Sequence, residues 1–374
     1  MPRRLRRLLP ALALLAACTG GGAVAQTDLP FTVTPVDDFG APWALAFLPD
    51  GRMLVTNKDG TLYIAGPDGT GRKVVTGTPR VSSAGQGSLM DVKPHPAFAQ
   101  NHLIYFSYSD VRADGLKGVV LARAKFVDGA NPALETVETL FRADPYVDGD
   151  GHFSGRIAFS PDGHLFFTNG ERQKFTPAQD PKVTLGKVLR LTMDGKPAPG
   201  NPLAAKGFNP AIWSYGHRNL LGLAFDPKGN LWEIEMGPKG GDELNLILPG
   251  RNYGWPKASN GSNYDDTDIP DHKPGDGYEA PKVWWNPSIS PGDLMVYSGS
   301  MFPEWKGDIF VAALSGQALI RVDVTGTVAK KGDQWDMGAR IREVRQGPDG
   351  AIWLLEDGRM RKGGGRLLKL TPKK

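Results

Sequence analysis

The chain has 374 residues, of which 40% are hydrophobic and 22% are charged, and this composition excludes a disordered protein. Its 48 glycines and 31 prolines favour many short strands joined by turns over long helices. The formal charge of +4 comes from Arg3, Arg4, Arg6 and Arg7. The rest of the chain is neutral and gives no electrostatic reason to expect a nucleic-acid partner.

The N-terminus has the pattern of a secretory signal. Basic residues precede an apolar run from Leu8 to Ala17, which is too short to span a bilayer as a helix. Ala23-Val24-Ala25 is an A-x-A cleavage site, which predicts a signal over residues 1–25 and one β-propeller domain over residues 26–374. A second interpretation is a lipoprotein signal ending before Cys18, the only cysteine. Both predict a periplasmic or otherwise exported protein, which is lipid-anchored in the second case.

One phrase recurs through the rest of the chain: an apolar segment, a Pro-x-Gly corner and a second apolar segment. Proline fixes φ and glycine accepts positive φ, so each copy predicts two strands joined by a tight turn. Close copies are WALAFLPDGRMLVTN, RIAFSPDGHLFFTNG, GLAFDPKGNLWEIE and IREVRQGPDGAIWLLE, and looser copies are LMDVKPHPAFAQNHLIYFSYS and LMVYSGSMFPEWKGDIFVAAL. Their spacing of about 60 residues predicts an all-β fold, a six-bladed β-propeller with four-stranded antiparallel blades.

Other folds fit the pattern less well. A TIM barrel is excluded because helical periodicity is almost absent, and a large β-sandwich does not require a repeated phrase. We expect the early strand Phe31–Val36 to pair with the late segment Arg366–Leu370 and close the ring. The segment Trp255–Pro281 is rich in Gly, Pro, Asp and Asn, which predicts a long ordered loop on one face.

The chain has six histidines, and one of them stands just before a predicted inner strand. His152 lies in GDGHFSGRIAF, so we expect it to face the central channel, where it could act as a general base. A loop histidine satisfied by the backbone is an equally weighted alternative. His164 is predicted at the surface, while His95, His102 and His272 fall in polar loops.

Three further groups are candidates for ligand binding. His217-Arg218-Asn219 precedes the predicted strand Leu220–Phe225, and its cation and amide suit an oxygen-rich ligand. Arg340 and Arg342 would point to one face of an extended segment and bind carboxylates, unless they form a solvated pair. Glu243 lies in the turn GPKGGDELN, whose oxygen atoms suit Ca²⁺, although solvated acidic turns have the same pattern.

Several phrases together resemble the soluble pyrroloquinoline-quinone (PQQ) dependent glucose/aldose sugar dehydrogenases, from about Pro30 to Leu370. They are GQGSLMDV, GHFSGRIAFSPDG, YGHRNLLGLAFDP, GPKGGDELNLILPGRNYGWP and RIREVRQGPDG. The resemblance implies an exported propeller that oxidises the C1 hydroxyl of aldoses to the lactone, with PQQ and Ca²⁺ as cofactors. It further implies an electron acceptor of unknown identity and a monomer or homodimer.

The resemblance also implies roles for individual residues. His152 matches the base that takes the hydroxyl proton while hydride passes to Ca²⁺-polarised PQQ, and Arg218 matches a catalytic residue that helps to polarise the quinone. Positions matching cofactor contacts are Gln86, Arg218, Asn219, Tyr264, Ala313, Leu314, Ser315, Arg340 and Arg342, and positions matching calcium ligands are Gly237 and Pro238, with Glu243 and Tyr253 at a second site.

Three positions depart from the family pattern. Ser315 stands where a lysine commonly holds the cofactor carboxylates, so we expect weaker PQQ binding. Gly151 replaces an acid that orients the base in the glucose-specific branch, which favours the aldose branch and predicts that this orientation is lost. Leu220 replaces a usual proline, with a minor effect expected.

Two other functions are compatible with the sequence. A non-catalytic propeller that binds a glycan or a protein partner is favoured by Ser315, but the joint presence of His152, Arg218, Arg340 and Arg342 opposes it. A Ca²⁺-dependent lactonase would need several Asp, Asn and Glu side chains around one central metal, and the sequence does not reveal such a set.

Overall fold

The structure, a computed structural model, describes residues 29–358 and 364–373. The predicted signal over residues 1–25, including Cys18, lies outside the described residues. Six four-stranded antiparallel sheets form the six predicted blades, so the predicted propeller is confirmed. No helix in the described part of the chain has the length and apolarity needed to cross a membrane. The helical segments are α1 (Phe98–Asn101) and the 3₁₀ turns Thr176–Gln179, Ala204–Lys206 and Pro303–Trp305.

Strand β1 (Phe31–Phe39) comes first, and the blades follow in chain order. Blade 1 contains β2 (Pro42–Phe47), β3 (Met53–Asn57), β4 (Leu62–Ala65) and β5 (Lys73–Val75), and blade 2 contains β6 (Leu89–Pro94), β7 (Leu103–Val111), β8 (Lys117–Val127) and β9 (Ala133–Arg142). Blade 3 contains β10 (Ser154–Phe159), β11 (Leu165–Asn169), β12 (Lys187–Leu191) and β13 (Ile212–Tyr215). Blade 4 contains β14 (Leu220–Phe225), β15 (Leu231–Glu235), β17 (Asp242–Ile247) and β19 (Val283–Trp285), with β16 (Lys239–Gly240) and β18 (Gly261–Ser262) as a separate pair. Blade 5 contains β20 (Pro291–Val296), β21 (Ile309–Ala313), β22 (Ala318–Thr325) and β23 (Val328–Asp336), and blade 6 contains β24 (Ile341–Gln346), β25 (Ile352–Glu356), β26 (Gly365–Pro372) and β1.

The two ends of the described chain pair to close the ring. β1 runs antiparallel to β26, with Val33 opposite Leu370 and Asp38 opposite Arg366. The predicted pairing of the early and late segments is therefore confirmed, and it extends beyond the predicted strand as far as Phe39. This ladder attaches β1 to the last three strands of the described chain, so blade 6 contains both ends of that chain. The ring cannot open at blade 6 unless the ladder breaks.

Each repeated phrase forms the two inner strands of a blade. In the first copy Gly51 has a φ of 87°, and its N–H donates to the Leu48 carbonyl at 2.9 Å. Glycine adopts this conformation at little cost, so β2 ends and β3 begins within a few residues. The looser copies form β6 with β7 and β20 with β21.

The innermost strands of neighbouring blades pack against one another around the channel. Because the second strand of each blade runs antiparallel to the first, the end of the second strand lies beside the start of the first. The residues before β10, β14 and β24 therefore meet those after β11, β15 and β25 at one end of the channel. The topology places most of the predicted site residues at this end.

A buried arginine below this end joins the blades. Arg156 on β10 is 1% exposed and touches the innermost strand of each of the five other blades. Its contacts are the ring of Trp43 at 4.1 Å, Asp91 at 3.8 Å, the Leu221 carbonyl at 2.5 Å, the Gly292 carbonyl at 2.6 Å, Asp293 at 3.5 Å and Glu343 at 2.7 Å.

Candidate active site

The mouth of the channel forms a pocket that is open to solvent. Phe153 and Ser154, which follow His152 in the chain, line the pocket together with Met236. The predicted residues among the lining are Gln86, Leu314, Arg340 and Arg342.

His152 is 4% exposed and is held by two neighbouring side chains. Its Nδ1 lies 2.5 Å from Oε1 of Glu171, and its backbone N–H donates to Oε1 of Gln86 at 2.7 Å. The second oxygen of Glu171 accepts the backbone N–H of Phe175 at 2.6 Å. Pairing with the carboxylate assigns the proton to Nδ1, which leaves the lone pair of Nε2 to accept a proton.

Burial and hydrogen bonding set the charges of this pair. Burial lowers the pKa of His152 below its ordinary value, although the hydrogen bond to Glu171 opposes the shift. Burial acts to raise the pKa of Glu171, but the His152 contact and the Phe175 N–H outweigh it and leave that pKa low. At neutral pH the imidazole is therefore neutral and the carboxylate ionised, as a general base requires.

Orientation by an acid at position 151 is lost, as predicted, but His152 still has a carboxylate partner. Glu171, at the end of the adjacent strand, supplies that orientation. The space beside Gly151 is occupied by Gln173, whose Oε1 would lie 2.4 Å from an added Cβ. The sequence analysis missed Glu171 because 19 residues separate it from His152.

The repeat pattern contained a signal for Glu171. In blade 4, His217 Nδ1 lies 2.9 Å from Glu235, which ends β15. In blade 6, Asp357 directly follows β25 and accepts hydrogen bonds from Arg340 and Arg342, both at 3.1 Å. Blades 3, 4 and 6 thus share one arrangement. In each of them, an acid at the end of the blade's second strand pairs with a basic residue at or near the start of its first strand. Because Arg340 and Arg342 both donate to the same oxygen of Asp357, the two arginines point to one face, as predicted.

Arg218 lies between two aromatic rings at the edge of the pocket. Its guanidinium carbon is 5.1 Å from the ring centroid of Trp255 and 5.7 Å from that of Tyr264. Nη1 donates to the Gly237 carbonyl at 2.7 Å, and Nη2 donates to the Tyr264 hydroxyl at 3.2 Å. Nε is buried and has no hydrogen-bond partner among the described residues. An oxygen-rich ligand could satisfy this remaining donor.

The other predicted cofactor residues differ in how far they are exposed to solvent. Asn219 is fully buried and accepts a hydrogen bond from Ser154 Oγ at 3.3 Å, whereas Tyr264 is 69% exposed. Ala313 is buried at the end of β21. The exposed Ser315 donates a hydrogen bond to the carbonyl of Ser288 at 3.2 Å, so it joins two loops where a lysine would provide charge.

A smaller cavity is lined by Arg218 together with Glu235, Gly237, Glu243 and Tyr253. Burial raises the pKa of Glu243 to about 7. The amide nitrogen of Asn245 is shared by three buried carboxylates, those of Glu233 at 3.2 Å, Glu235 at 3.1 Å and Glu243 at 3.5 Å.

The chemistry of this group fits a hard cation such as Ca²⁺. Oε1 of Glu233 and Oδ1 of Asn245 are buried oxygens without a hydrogen-bond partner in the described chain. Ligand atoms of His217, Glu233 and Glu235 lie within 4.8 Å of one another. Carboxylate and amide oxygens are the ligands that Ca²⁺ prefers. All these residues belong to blade 4, whereas a lactonase metal would be held by residues around the channel.

Three calcium predictions become more specific in the structure. The hydroxyl of Tyr253 donates to the Leu246 carbonyl at 2.6 Å, so the backbone carbonyl is the oxygen that Tyr253 could offer a metal. The Gly237 carbonyl already accepts a hydrogen bond from Arg218, and the next residue, Pro238, is buried. His272 lies in a loop, as predicted, but its side chain is only 3% exposed and its Nε2 lies 3.6 Å from Glu243.

Comparisons with known proteins establish the family. The family model described as Glucose / Sorbosone dehydrogenase matches residues 39–369, so the chain belongs to this family.

The aldose sugar dehydrogenase YliI of Escherichia coli (strain K12) is 38% identical over 347 residues, covering 90% of this chain and 91% of that protein. The crystal structure of the soluble aldose sugar dehydrogenase from Escherichia coli in the apo-form has a TM-score of 0.86 at 37% identity, over 92% of this chain and 100% of that one. The PQQ-bound aldose sugar dehydrogenase from Streptomyces coelicolor has a TM-score of 0.77 at 30% identity, over 92% of this chain and 98% of that one. The resemblance found in the sequence is thereby confirmed.

Proposed function

We propose that this protein is a PQQ- and Ca²⁺-dependent aldose sugar dehydrogenase that oxidises the C1 hydroxyl to the lactone. The observation that carries the proposal is the His152–Glu171 pair at the edge of a cationic pocket. The pair has the charge state of a general base, and the pocket has the charge of a site for an anionic cofactor.

The residues of the pocket fit PQQ, a flat quinone that carries several carboxylates. Among the described lining residues, Lys58, Arg340 and Arg342 are cationic and Asp357 is the acid. This excess of positive charge would offset the cost of burying carboxylates. We assign the carboxylates of PQQ to Arg340 and Arg342, and its remaining oxygens to Gln86 and Arg218.

Bound PQQ would supply a quinone that accepts hydride, polarised by Ca²⁺ on the carbonyls of Gly237 and Pro238. His152 Nε2 accepts the proton of the C1 hydroxyl, and Glu171 stabilises the imidazolium that results. Gln86 fixes the backbone from which the imidazole projects. His152 would thus take up the proton of the C1 hydroxyl, and bound PQQ would supply the hydride acceptor that oxidation to the lactone requires.

Dye reduction tests the proposal. Purified protein should reduce a redox dye with glucose and other aldoses only after both PQQ and Ca²⁺ have been added. PQQ binding without turnover would favour the non-catalytic propeller. Failure to bind PQQ would point to Ser315, which lacks the charge of the family lysine, and would also favour the non-catalytic propeller.

Ca²⁺ should stabilise the cofactor-free protein through the carboxylates around Glu243. At 100 times the dissociation constant, a ligand stabilises the folded state by about 2.7 kcal/mol. Glu243 has its pKa raised from 4.5 to about 7, so without metal its contribution to stability falls as pH rises across this interval. The gain in melting temperature on adding Ca²⁺ should therefore be larger above neutral pH than below it.

Scanning calorimetry with two matched variants tests this site. Glu243→Gln should remove most of the Ca²⁺-dependent shift in melting temperature, because the amide lacks the charge that binds the ion. Glu304→Gln changes an exposed acid in blade 5 and should leave the shift intact. An unaltered shift in Glu243→Gln would place the calcium elsewhere.

We also propose that the protein is exported, on the basis of the arginines and the apolar run that begin the sequence. The mass of the mature N-terminal peptide would distinguish the two interpretations. Cleavage after Ala25 leaves an unmodified glutamine at the N-terminus, whereas a lipoprotein begins at an acylated Cys18.

A further inference from the structure

A strained turn follows β11 and connects to the catalytic pair. Arg172, Gln173 and Phe175 have φ angles of 62°, 60° and 62°, a region that residues with a Cβ rarely adopt. Such a conformation persists only where the surrounding structure holds it. The N–H of Phe175 donates to Glu171, so the shape of this turn determines where the carboxylate beside His152 lies.

A buried ammonium group lies against the next residues of this turn. Lys187, the first residue of β12, has no exposed surface. Its Nζ donates to the carbonyls of Pro177 at 2.8 Å, Ala178 at 3.1 Å and Leu185 at 2.6 Å. An ammonium group has three N–H donors, and each finds one carbonyl here. Two of these carbonyls belong to the 3₁₀ turn Thr176–Gln179, which directly follows Phe175.

Burying this charge is costly, and the hydrogen bonds are what offset the cost. Lys187 forms no ion pair with a carboxylate in residues 29–358 and 364–373, and burial lowers its pKa to about 7. Asp180, which is exposed, is the acid whose charge acts on it. A methionine at this position would fill the space without the desolvation penalty. The function of the ammonium group is therefore to hold the carbonyls of the turn.

The same turn also contacts the segments around Arg218. The Ala178 carbonyl accepts the N–H of Gly216 at 2.9 Å, two residues before Arg218. The Gln179 amide donates to the Trp255 carbonyl at 2.6 Å, and the Trp255 ring faces the Arg218 guanidinium. The turn held by Lys187 is thus attached to both sides of the candidate active site.

We propose that Lys187 is a positioning residue for sugar oxidation, which holds the turn that fixes Glu171 and, through Glu171, the imidazole of His152. It touches neither substrate nor cofactor. This inference rests on the proposed function, because it concerns the proton acceptance assigned to His152. Without the ammonium group, each of the three carbonyls loses one donor. The carbonyls of Pro177 and Ala178 then keep only the backbone N–H groups of Asp180 and Gly216, and the strained turn relaxes. Phe175 then no longer holds Glu171.

A double-mutant cycle tests whether Lys187 acts through Glu171. Lys187→Met should reduce kcat by about 10²-fold, the scale of a misplaced catalytic group, with little change in KM. In a Glu171→Gln background the same replacement should reduce kcat by less than about three-fold, because the contact it supports has already been weakened. Losses that multiply in the double variant would overturn the proposal.

Two further variants separate positioning from a general effect on folding. Lys187→Gln retains amide donors and should recover part of the kcat lost in Lys187→Met. Lys182→Met removes another ammonium from blade 3, one that donates to the exposed Gly207 carbonyl at 2.6 Å, and should leave kcat unchanged. Equal losses in Lys182→Met and Lys187→Met would contradict the assigned role.

Histidine NMR on the cofactor-free protein gives a readout that does not require activity. The contact with Glu171 raises the pKa of His152, so Lys187→Met should lower that pKa. If wild type and Lys187→Met show the same His152 titration, the positioning role is wrong, whatever the protein oxidises. If the titrations differ but no aldose is oxidised, the proposed function fails and the structural link stands.

Discussion

Replacing His152 by alanine is expected to abolish measurable sugar oxidation while leaving PQQ binding largely intact. A general base contributes about 10²- to 10⁴-fold to a rate. The described residues that line the pocket include no histidine that could replace His152. The measurements are kcat with glucose after reconstitution and PQQ affinity by absorbance titration. His164→Ala changes a partly exposed histidine of the same blade, which contacts Asp162, and should leave both values unaltered. Unchanged turnover in His152→Ala would remove His152 from the mechanism.

The pH profile separates the base from its partner. For the wild type, kcat/KM should fall as pH decreases through the pKa of His152, which lies below the ordinary 6.5. Glu171→Gln removes a contribution that raises this pKa, so the acid limb should move to lower pH. The plateau rate should fall as well, because the amide cannot stabilise the imidazolium by charge. An acid limb that moves to higher pH would contradict this account.

Replacing Arg156 by methionine is expected to lower the free energy of unfolding by about 3–5 kcal/mol, the effect of removing one partner from a buried ion pair. Asp91, Asp293 and Glu343 are all buried around the guanidinium. Without Arg156, Arg345 would remain as the partner of Asp293 and Glu343, and Lys93 as the partner of Asp91. Burial already raises the pKa of Glu343 to about 7 despite both arginines. Loss of Arg156 should therefore leave negative charge uncompensated at the centre of the ring.

Denaturant unfolding with a matched surface variant provides the measurement. Arg52 also pairs with two carboxylates, those of Asp50 and Asp128, but its side chain is 30% exposed. Arg52→Met should therefore cost less than about 1 kcal/mol. Similar losses in Arg52→Met and Arg156→Met would mean that the contacts of Arg156 with the other blades add little to the stability of the ring.

Ser315, which stands where the family commonly has a lysine, hydrogen-bonds to neighbouring loop residues. Its hydroxyl lies 2.9 Å from that of Ser290 and also bonds to the Ser288 carbonyl, so it serves loop packing. Lys58 contributes a cation to the pocket from blade 1. The expected weakening of PQQ binding stays a prediction, and Lys58 is a residue whose charge could limit it.

Local chemistry made much of the fold predictable. A Pro-x-Gly corner such as Pro49-Asp50-Gly51 specifies a turn within a few residues, and six copies indicate the number of blades. Ring closure was predictable because a propeller needs its first and last strands to pair. His152, Arg340 and Arg342 were identified for the same reason, since each stands beside the start of a strand whose position in the ring follows from the repeat.

The partners of those residues depend on tertiary structure. Glu171, His272 and Lys187 look like ordinary polar residues in the sequence, and their importance comes from side chains that are buried next to a specific group. Burial and contact join residues that are distant along the chain, such as His152 with Glu171, or Glu243 with His272. The turns, the strands, the blades and the catalytic candidates could therefore be predicted from the sequence, because these follow from local geometry and its repetition. The protonation states, the carboxylate group around Asn245 and the support of the base became visible only in the folded chain, because these depend on which groups are excluded from water together.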